Sequence, residues 1–241
     1  MIQLEQYHKG KVIYGITHAN KGSFTQVGFT ISATDVCTPN EVESCRRELA
    51  ELLNFPYPSA QFQKQVHGVT IVGRPAIDSH HSNESDGMIT TQLDTLLCVS
   101  VADCCGVLIW SDDHQLIAGV HSGWKGTQQN IAGKCIDILQ QTYNYKPESL
   151  NVWLSPCASS KAYVVKQDVQ QYFSQFCTAI NNTDFLFDNK AAIVAQLTQK
   201  GVPTSKIRVS DECTILNHSY HSYRRDGALS GRMAAFIGIR S

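Results

Sequence analysis

Short apolar runs rich in β-branched residues, each bounded by polar or glycine punctuation, recur along this chain. They predict strands at 11–16, 27–31, 69–72, 87–90, 96–100, 106–110, 116–121, 152–154 and 206–209. Longer stretches in which apolar positions return every three or four residues predict helices at 40–53, 127–143, 167–176 and 189–201. Asn40 is expected to cap the first helix, with Glu43 completing a capping box, and Gly201 to close the last in a left-handed conformation. Many strands follow one another directly, so the expected fold is α+β and layered rather than a regular βαβ winding. No repeat, low-complexity tract or long linker interrupts the pattern, and residues 1–241 read as a single domain.

Composition narrows the partners. A hydrophobic content of 42% and a charged content of 17% argue against long disordered tails. A formal net charge of −1 provides no field for nucleic acid or an anionic membrane, so a small neutral or locally anionic molecule is the better partner. No stretch approaches the ~20 apolar residues of a membrane span, and the opening MIQLEQYHKG lacks the basic-then-apolar order of an export signal. The expected location is cytoplasmic. Nine cysteines without CxxC spacing indicate neither a disulfide framework nor a zinc ribbon, and most are expected to be reduced core residues.

Three of the polar residues beside apolar runs carry chemistry: His67 in QKQVHGVTIV, Cys104 in LLCVSVADCCGVLIW and His121 in LIAGVHSGWKG. Imidazole and thiolate suit a borderline-soft divalent cation, and three protein ligands with an open fourth position are the arrangement of catalytic zinc. The polar turn 111–114 joins two apolar runs as a hairpin, so that Cys104 enters the first strand, His121 leaves the second, and their ends meet at one edge of a sheet. The same meeting serves a thiolate–imidazole nucleophile pair. Cys105 offers a second thiol; in a strand the two face opposite sides, and only one aims at the site. After His121, Gly123, Gly126 and an N-cap at Thr127 read either as a helix start whose free N–H groups suit an anion or as a tight strand-to-helix turn. Near the C-terminus, Arg224, Arg225, Asp226 and Arg232 form either an anion-binding group or an Arg–Asp network pinning a loop. Asp86 and Asp103 are candidate acceptors behind a ligand histidine, candidate general bases, or turn carboxylates.

Taken in order and spacing, QVHG (65–68), SDGMIT (85–90), VADCCGVLI (101–109), HSGWKG (121–126), SPC (155–157), DECT (211–214) and HSYRRDG…SGRMAAFI (221–237) resemble the YfiH-like polyphenol-oxidase or laccase-domain family, also described as purine nucleoside phosphorylases. The resemblance implies an α/β/β/α layered fold with mixed sheets, distantly similar to cysteine-hydrolase toxins. It implies a zinc site on His67, Cys104 and His121, and thereby selects Cys104 over Cys105. It further implies phosphorolysis of adenosine, inosine, guanosine and methylthioadenosine, with hydrolytic deamination of adenosine. In that reading Asp103 or a neighbouring group shuttles a proton, and Arg224, Arg225 or the backbone donors after His121 hold phosphate. The chain departs from the family at Cys105-Gly106, Ser122, Lys125, Ser155 and Val164, and an N-terminal arginine-and-glycine motif is represented only by THANKGSF (17–24). Rival readings are a copper-dependent polyphenol oxidase, a metal-free hydrolase of a cell-wall peptide precursor with Cys104 as nucleophile and His121 as base, and a binding module without turnover.

Overall fold

Strand alternation decides which layer each side chain enters. The computed structural model describes residues 1–73 and 84–241. In chain order the elements are β1 (Leu4–Lys9), β2 (Val12–Thr17), α1 (Pro39–Leu52), β3 (Ala60–Phe62), β4 (Ile71–Gly73), β5 (Gly87–Thr90), β6 (Thr95–Val101), β7 (Cys105–Ser111), β8 (Ile117–Ser122), α2 (Trp124–Gln128) and α3 (Ile131–Gln141). They continue with β9 (Leu150–Leu154), β10 (Val164–Val165), α4 (Gln167–Gln170), β11 (Cys177–Ala179), β12 (Phe185–Phe187), α5 (Asn189–Gln199), β13 (Ile207–Val209), α6 (Tyr223–Asp226) and β14 (Met233–Ile239).

Two mixed sheets stack face to face, one ordered β1-β2-β14-β6-β3 and the other β13-β9-β7-β8-β5-β4; a small third sheet is β10-β12-β11. Along β6, Leu97, Val99 and Val101 point between the sheets toward Leu108 and Trp110 of β7, while Leu96 and Cys98 point outward to Leu49 of α1. Along β7, the alternate residues Val107 and Ile109 pack outward on Ile136 of α3 and Ile193 of α5. The period of two thus gives each sheet two apolar faces and each face a partner layer, α/β/β/α, which is the architecture expected. Each large side chain so buried contributes ~1.5–3 kcal/mol.

Several local expectations are corrected. The 27–31 run is buried at Val27, Phe29 and Ile31 but forms no strand. Gly28 there has φ +97°, and a Cβ on it would meet the Ala19 carbonyl oxygen at 2.2 Å, so the chain turns where a strand would run straight. The first helix is capped by Thr38, not Asn40: its hydroxyl accepts from Glu41 N–H while the Glu41 carboxylate takes Thr38 N–H, with Pro39 in the first turn. The 127–143 helix is two helices broken at Asn130, whose left-handed backbone (φ 58°) and side chain cap α3. Thr127 lies inside α2, and Gly123 occupies that helix's N-cap position. The 167–176 helix shrinks to the single turn α4 and a 3-10 turn at Ser174–Phe176. Gly201 does follow α5 with φ +92°. All nine cysteines are free.

The connection 102–104 positions the chemistry. β6 ends at Val101 in one sheet and β7 starts at Cys105 in the other, so Ala102, Asp103 and Cys104 cross between the layers. On the neighbouring strand β8, His121 pairs with Gly106 and Ser122 with Cys105, which brings His121 to the same end.

Candidate metal centre and the cavity it lines

The expected hairpin is β7 and β8, and its register sets Cys104 beside His121; both strands are central, so the meeting is at a strand end inside the sheet rather than at a sheet edge. His67 joins them from the loop after β3. The ligand atoms of His67, Cys104 and His121 all lie within 4.8 Å of one another, with His67 exposed, Cys104 half-buried and His121 buried. The two imidazole rings are edge-on, with centroids 4.8 Å apart at 85°. The backbones of His67 (φ 59°) and Asp103 (φ 82°) sit in the left-handed region, strain held by the surrounding structure beside two of the three ligands.

One fully buried carboxylate organises both rings. His121 Nδ1–H donates to Asp86 Oδ1 at 2.8 Å, and the His121 amide donates to the Asp86 carbonyl at 2.7 Å. The Asp86 carboxylate also accepts from the amides of Val66 (3.2 Å), His67 (3.0 Å) and Gly68 (2.7 Å), which fixes the loop that presents His67. Because Nδ1 of His121 carries the shared proton, its Nε2 is left as the coordinating atom. Burial works against the Asp86 charge, but the hydrogen bonds from His121, Gly68 and Val66 outweigh it and lower its pKa. Burial likewise opposes a Cys104 thiolate, yet the His121 and His67 rings pull its pKa down to about 6. Burial disfavours the charged His121 ring, while Cys104 and Asp86 raise its pKa to about 9.

The donor set fits a divalent metal. It combines two imidazoles and a thiolate, with the tautomer of the buried ring set by a carboxylate. Gly123 is part of the fit, since a Cβ there would stand 2.7 Å from Cys104 Sγ. Among the described residues this is the one grouping of three such ligands.

The three ligands open onto a cavity of about 770 Å³. Asp103 lines it, but both carboxylate oxygens are engaged: Oδ1 accepts from the Thr214 hydroxyl at 2.7 Å and Oδ2 from the Arg224 amide at 2.6 Å. Arg224 also lines the cavity, its Nη1 donating to the Val164 carbonyl at 2.5 Å and its guanidinium over the Tyr163 ring at 5.2 Å. Arg225 does not line it. Its guanidinium donates to the carbonyls of Thr214, Ile215 and Tyr220 and to both oxygens of Asp226, the loop-pinning network that was the other expectation for this pair. Arg232 reaches the cavity with Nη1 on the Ser230 and Gly231 carbonyls and its guanidinium 5.3 Å from the centre of the Tyr223 ring. Arg46 of α1 is a lining residue that the sequence reading missed. The available signal was its place on the buried stripe of α1, four residues after Val42 and three before Leu49.

A layered α/β/β/α protein with a His–Cys–His centre opening onto an arginine-lined cavity defines the class. The chain belongs to the multi-copper polyphenol oxidoreductase laccase family, whose sequence profile matches residues 5–240. It is 29% identical over 238 residues to a protein named purine nucleoside phosphorylase YlmD from Geobacillus stearothermophilus, covering 92% of this chain and 86% of that one. It is 30% identical over 212 residues to a protein named purine nucleoside phosphorylase YfiH from Shigella flexneri, covering 83% and 82%. The fold superposes on the crystal structure of Bacillus licheniformis hypothetical protein YfiH with TM-score 0.90 at 24% identity, over 95% of this chain and 93% of that one. It superposes on that of YlmD from Geobacillus stearothermophilus with TM-score 0.89 at 25% identity, over the full length of both. The resemblance and the fold expected from the motifs are both borne out. No helix among the described residues is long and apolar enough to cross a membrane.

Proposed function

We propose that this chain is a zinc-dependent purine nucleoside enzyme of the cytoplasm, catalysing phosphorolysis of adenosine, inosine, guanosine and methylthioadenosine and hydrolytic deamination of adenosine. One observation carries the reading: a His67–Cys104–His121 grouping and the guanidinium groups of Arg224 and Arg232 line the same cavity. The names of the relatives, purine nucleoside phosphorylases, agree with it. When bound by His67, Cys104 and His121, zinc supplies Lewis acidity for attack at the purine carbon bearing the amino group.

The chain's own groups do the remaining work. Asp86 holds the His121 tautomer and the His67 loop. Arg224 and Arg232, braced on main-chain carbonyls and tyrosine rings, present fixed positive charge to a phosphate dianion approaching the ribose carbon. Asp103, through the Arg224 amide and Thr214, positions the arginine loop against the ligand loop. Arg225 supports that loop from behind.

Incubation with adenosine, with and without phosphate, followed by product separation tests the proposal. Adenine and ribose phosphate are expected only with phosphate, and inosine without it; neither product overturns the reading. Metal analysis of protein purified without added copper separates zinc from copper. Stoichiometric copper with dioxygen-dependent phenol turnover would replace zinc in favour of the oxidase. The lowered Cys104 pKa beside a raised His121 pKa also favours a second reading, a metal-free cysteine hydrolase. That reading requires activity that survives chelation and a covalent adduct on Cys104.

A further inference from the structure

Two tyrosines line the cavity, and their rings are used differently. Tyr163 is half-buried: it packs against the apolar cluster of Val165, Phe173 and Phe187, its ring centroid 5.7 Å from that of Phe187, and the Arg224 guanidinium lies over it. Tyr223 is 56% exposed and belongs to no apolar cluster among the described residues. A ring at a cavity wall that its own fold leaves uncovered is open to a ligand. The backbone beneath it is fixed all the same. Ser222, just before it, is fully buried and its hydroxyl accepts from the Arg225 amide at 3.2 Å, while the Arg224 amide, just after it, donates to Asp103 Oδ2 at 2.6 Å. With only two side-chain torsions on a held backbone, this ring loses little entropy when something covers it.

The place of Tyr223 narrows what covers it. The Arg232 guanidinium stands 5.3 Å from its ring centre, anchored on the Ser230 and Gly231 carbonyls. Burial lowers the Arg232 pKa, while Cys104, Tyr223 and Asp103 offset part of that shift, so the arginine shares one neighbourhood with the tyrosine and the metal-centre sulfur. In the nucleoside reading, on which this inference rests, phosphate at Arg224 and Arg232 attacks the ribose carbon that also bears the base. The base is one bond from that carbon, between the arginines and the metal centre, and a ring beside Arg232 is within reach of its face. Stacking on an aromatic side chain tolerates any base, because every base has a π face. That tolerance suits a site proposed to take adenine, hypoxanthine and guanine nucleosides alike.

We infer that Tyr223 is the platform on which the purine stacks, a substrate-binding residue that holds the aromatic face of the base and takes no account of its substituents.

The test uses calorimetric Kd values of the full-length, metal-loaded protein for inosine, guanosine and ribose 1-phosphate, measured without phosphate so that neither nucleoside is cleaved. Tyr223→Ala is expected to weaken inosine and guanosine alike, by about tenfold, the size of one base–aromatic stack. Ribose 1-phosphate, which has no base, should stay within about twofold, since Arg232 keeps its two carbonyl anchors. Tyr223→Phe retains the ring and should match wild type for all three ligands. Melting temperature and metal content, expected to be unchanged for so exposed a side chain, confirm that the site is intact. Nucleoside Kd values unchanged in Tyr223→Ala, ribose 1-phosphate weakening in step with the nucleosides, or Tyr223→Phe as weak as Tyr223→Ala would each overturn the platform while leaving the nucleoside reading in place. Failure of the wild type to bind either nucleoside overturns both.

Discussion

The two walls of the cavity are held by different physics. The metal-centre wall hangs on one hub: the Asp86 carboxylate accepts from His121 and from three consecutive amides at 66–68, so two of the three ligands share a single buried support. The arginine wall is distributed. Arg225 makes its contacts to three carbonyls and Asp226, Arg232 uses two other carbonyls, and Arg224 uses a third site on Val164. A hub concentrates sensitivity in one residue, whereas a distributed loop separates charges that serve the ligand from charges that serve the fold.

The largest effects should come from the ligands themselves. Cys104→Ala or His121→Ala is expected to weaken metal binding more than about a hundredfold, since loss of an outer support alone costs ~10–100-fold. Metal content after dialysis and turnover of adenosine measure it. Chelation of the wild type should reproduce the same loss of turnover, and activity that persists would favour the cysteine hydrolase.

Asp86→Asn probes the hub. An amide NH₂ must then face either a main-chain N–H or His121 Nδ1–H, donor against donor, and the negative charge that favours the correct tautomer is gone. Metal affinity is expected to fall ~10–100-fold, and the metal-free protein to lose about 2–4 kcal/mol, because amides at 66–68 lose acceptors. Competition with a chromophoric chelator and denaturant melts read the two losses. An unchanged affinity would mean that the His67 loop and the His121 ring are held by something other than Asp86.

Much of the first wall was legible in the sequence, because strand alternation and a polar turn suffice to pair β7 with β8 and place Cys104 by His121. Half of the hub was: Asp86 stood as a candidate acceptor behind a ligand histidine, and it takes His121 Nδ1–H, but SDG at 85–87 also reads as a turn, and nothing local shows that its carboxylate reaches amides some twenty residues earlier. The apolar run after Arg232 was visible, yet its place as β14 between β2 and β6 depends on non-local pairing. On the second wall, Arg224 and Arg225 are neighbours of identical chemistry. Which one faces the cavity is decided by carbonyls at 164, 214, 215 and 220, and side-chain type carries no record of that.

The neighbouring arginines give a contrast within one dipeptide. Arg224→Ala should raise the KM for phosphate about tenfold or more with little change in melting temperature. Arg225→Ala should take the guanidinium donor from the Thr214, Ile215 and Tyr220 carbonyls, leave Asp226 to Lys21 alone, and cost about 2–3 kcal/mol of stability. Initial rates against phosphate, together with denaturant melts, make the comparison. The reverse pattern would show that the loop rearranges when substrate binds.

The last effect is expected in acid, on the arginine side. His221 is fully buried, and its Nε2 stands 2.8 Å from the Phe29 carbonyl, which can only accept, so the ring proton is on Nε2 and Nδ1 is a bare nitrogen with no partner among the described residues. Protonating Nδ1 would bury a charge with Lys21 and Arg232 nearby; burial foremost, then these cations, push its pKa down to about 4 despite the Phe29 bond and Asp226. An unfolded histidine titrates near 6.5, so between pH 6.5 and about 4 the unfolded chain binds a proton that the native chain refuses. Stability therefore falls as pH drops through that window, by at most about 3 kcal/mol from this ring. Metal-free protein is the sample of choice, since ligand protonation would otherwise add its own loss. His221→Gln keeps a donor for the Phe29 carbonyl but cannot charge, and denaturant melts between pH 7 and 4.5 should show a flatter slope than wild type. Equal slopes would show that His221 does not carry the acid lability of this window, since Asp86 and Asp226, with lowered pKa values, lose their contribution only at still lower pH.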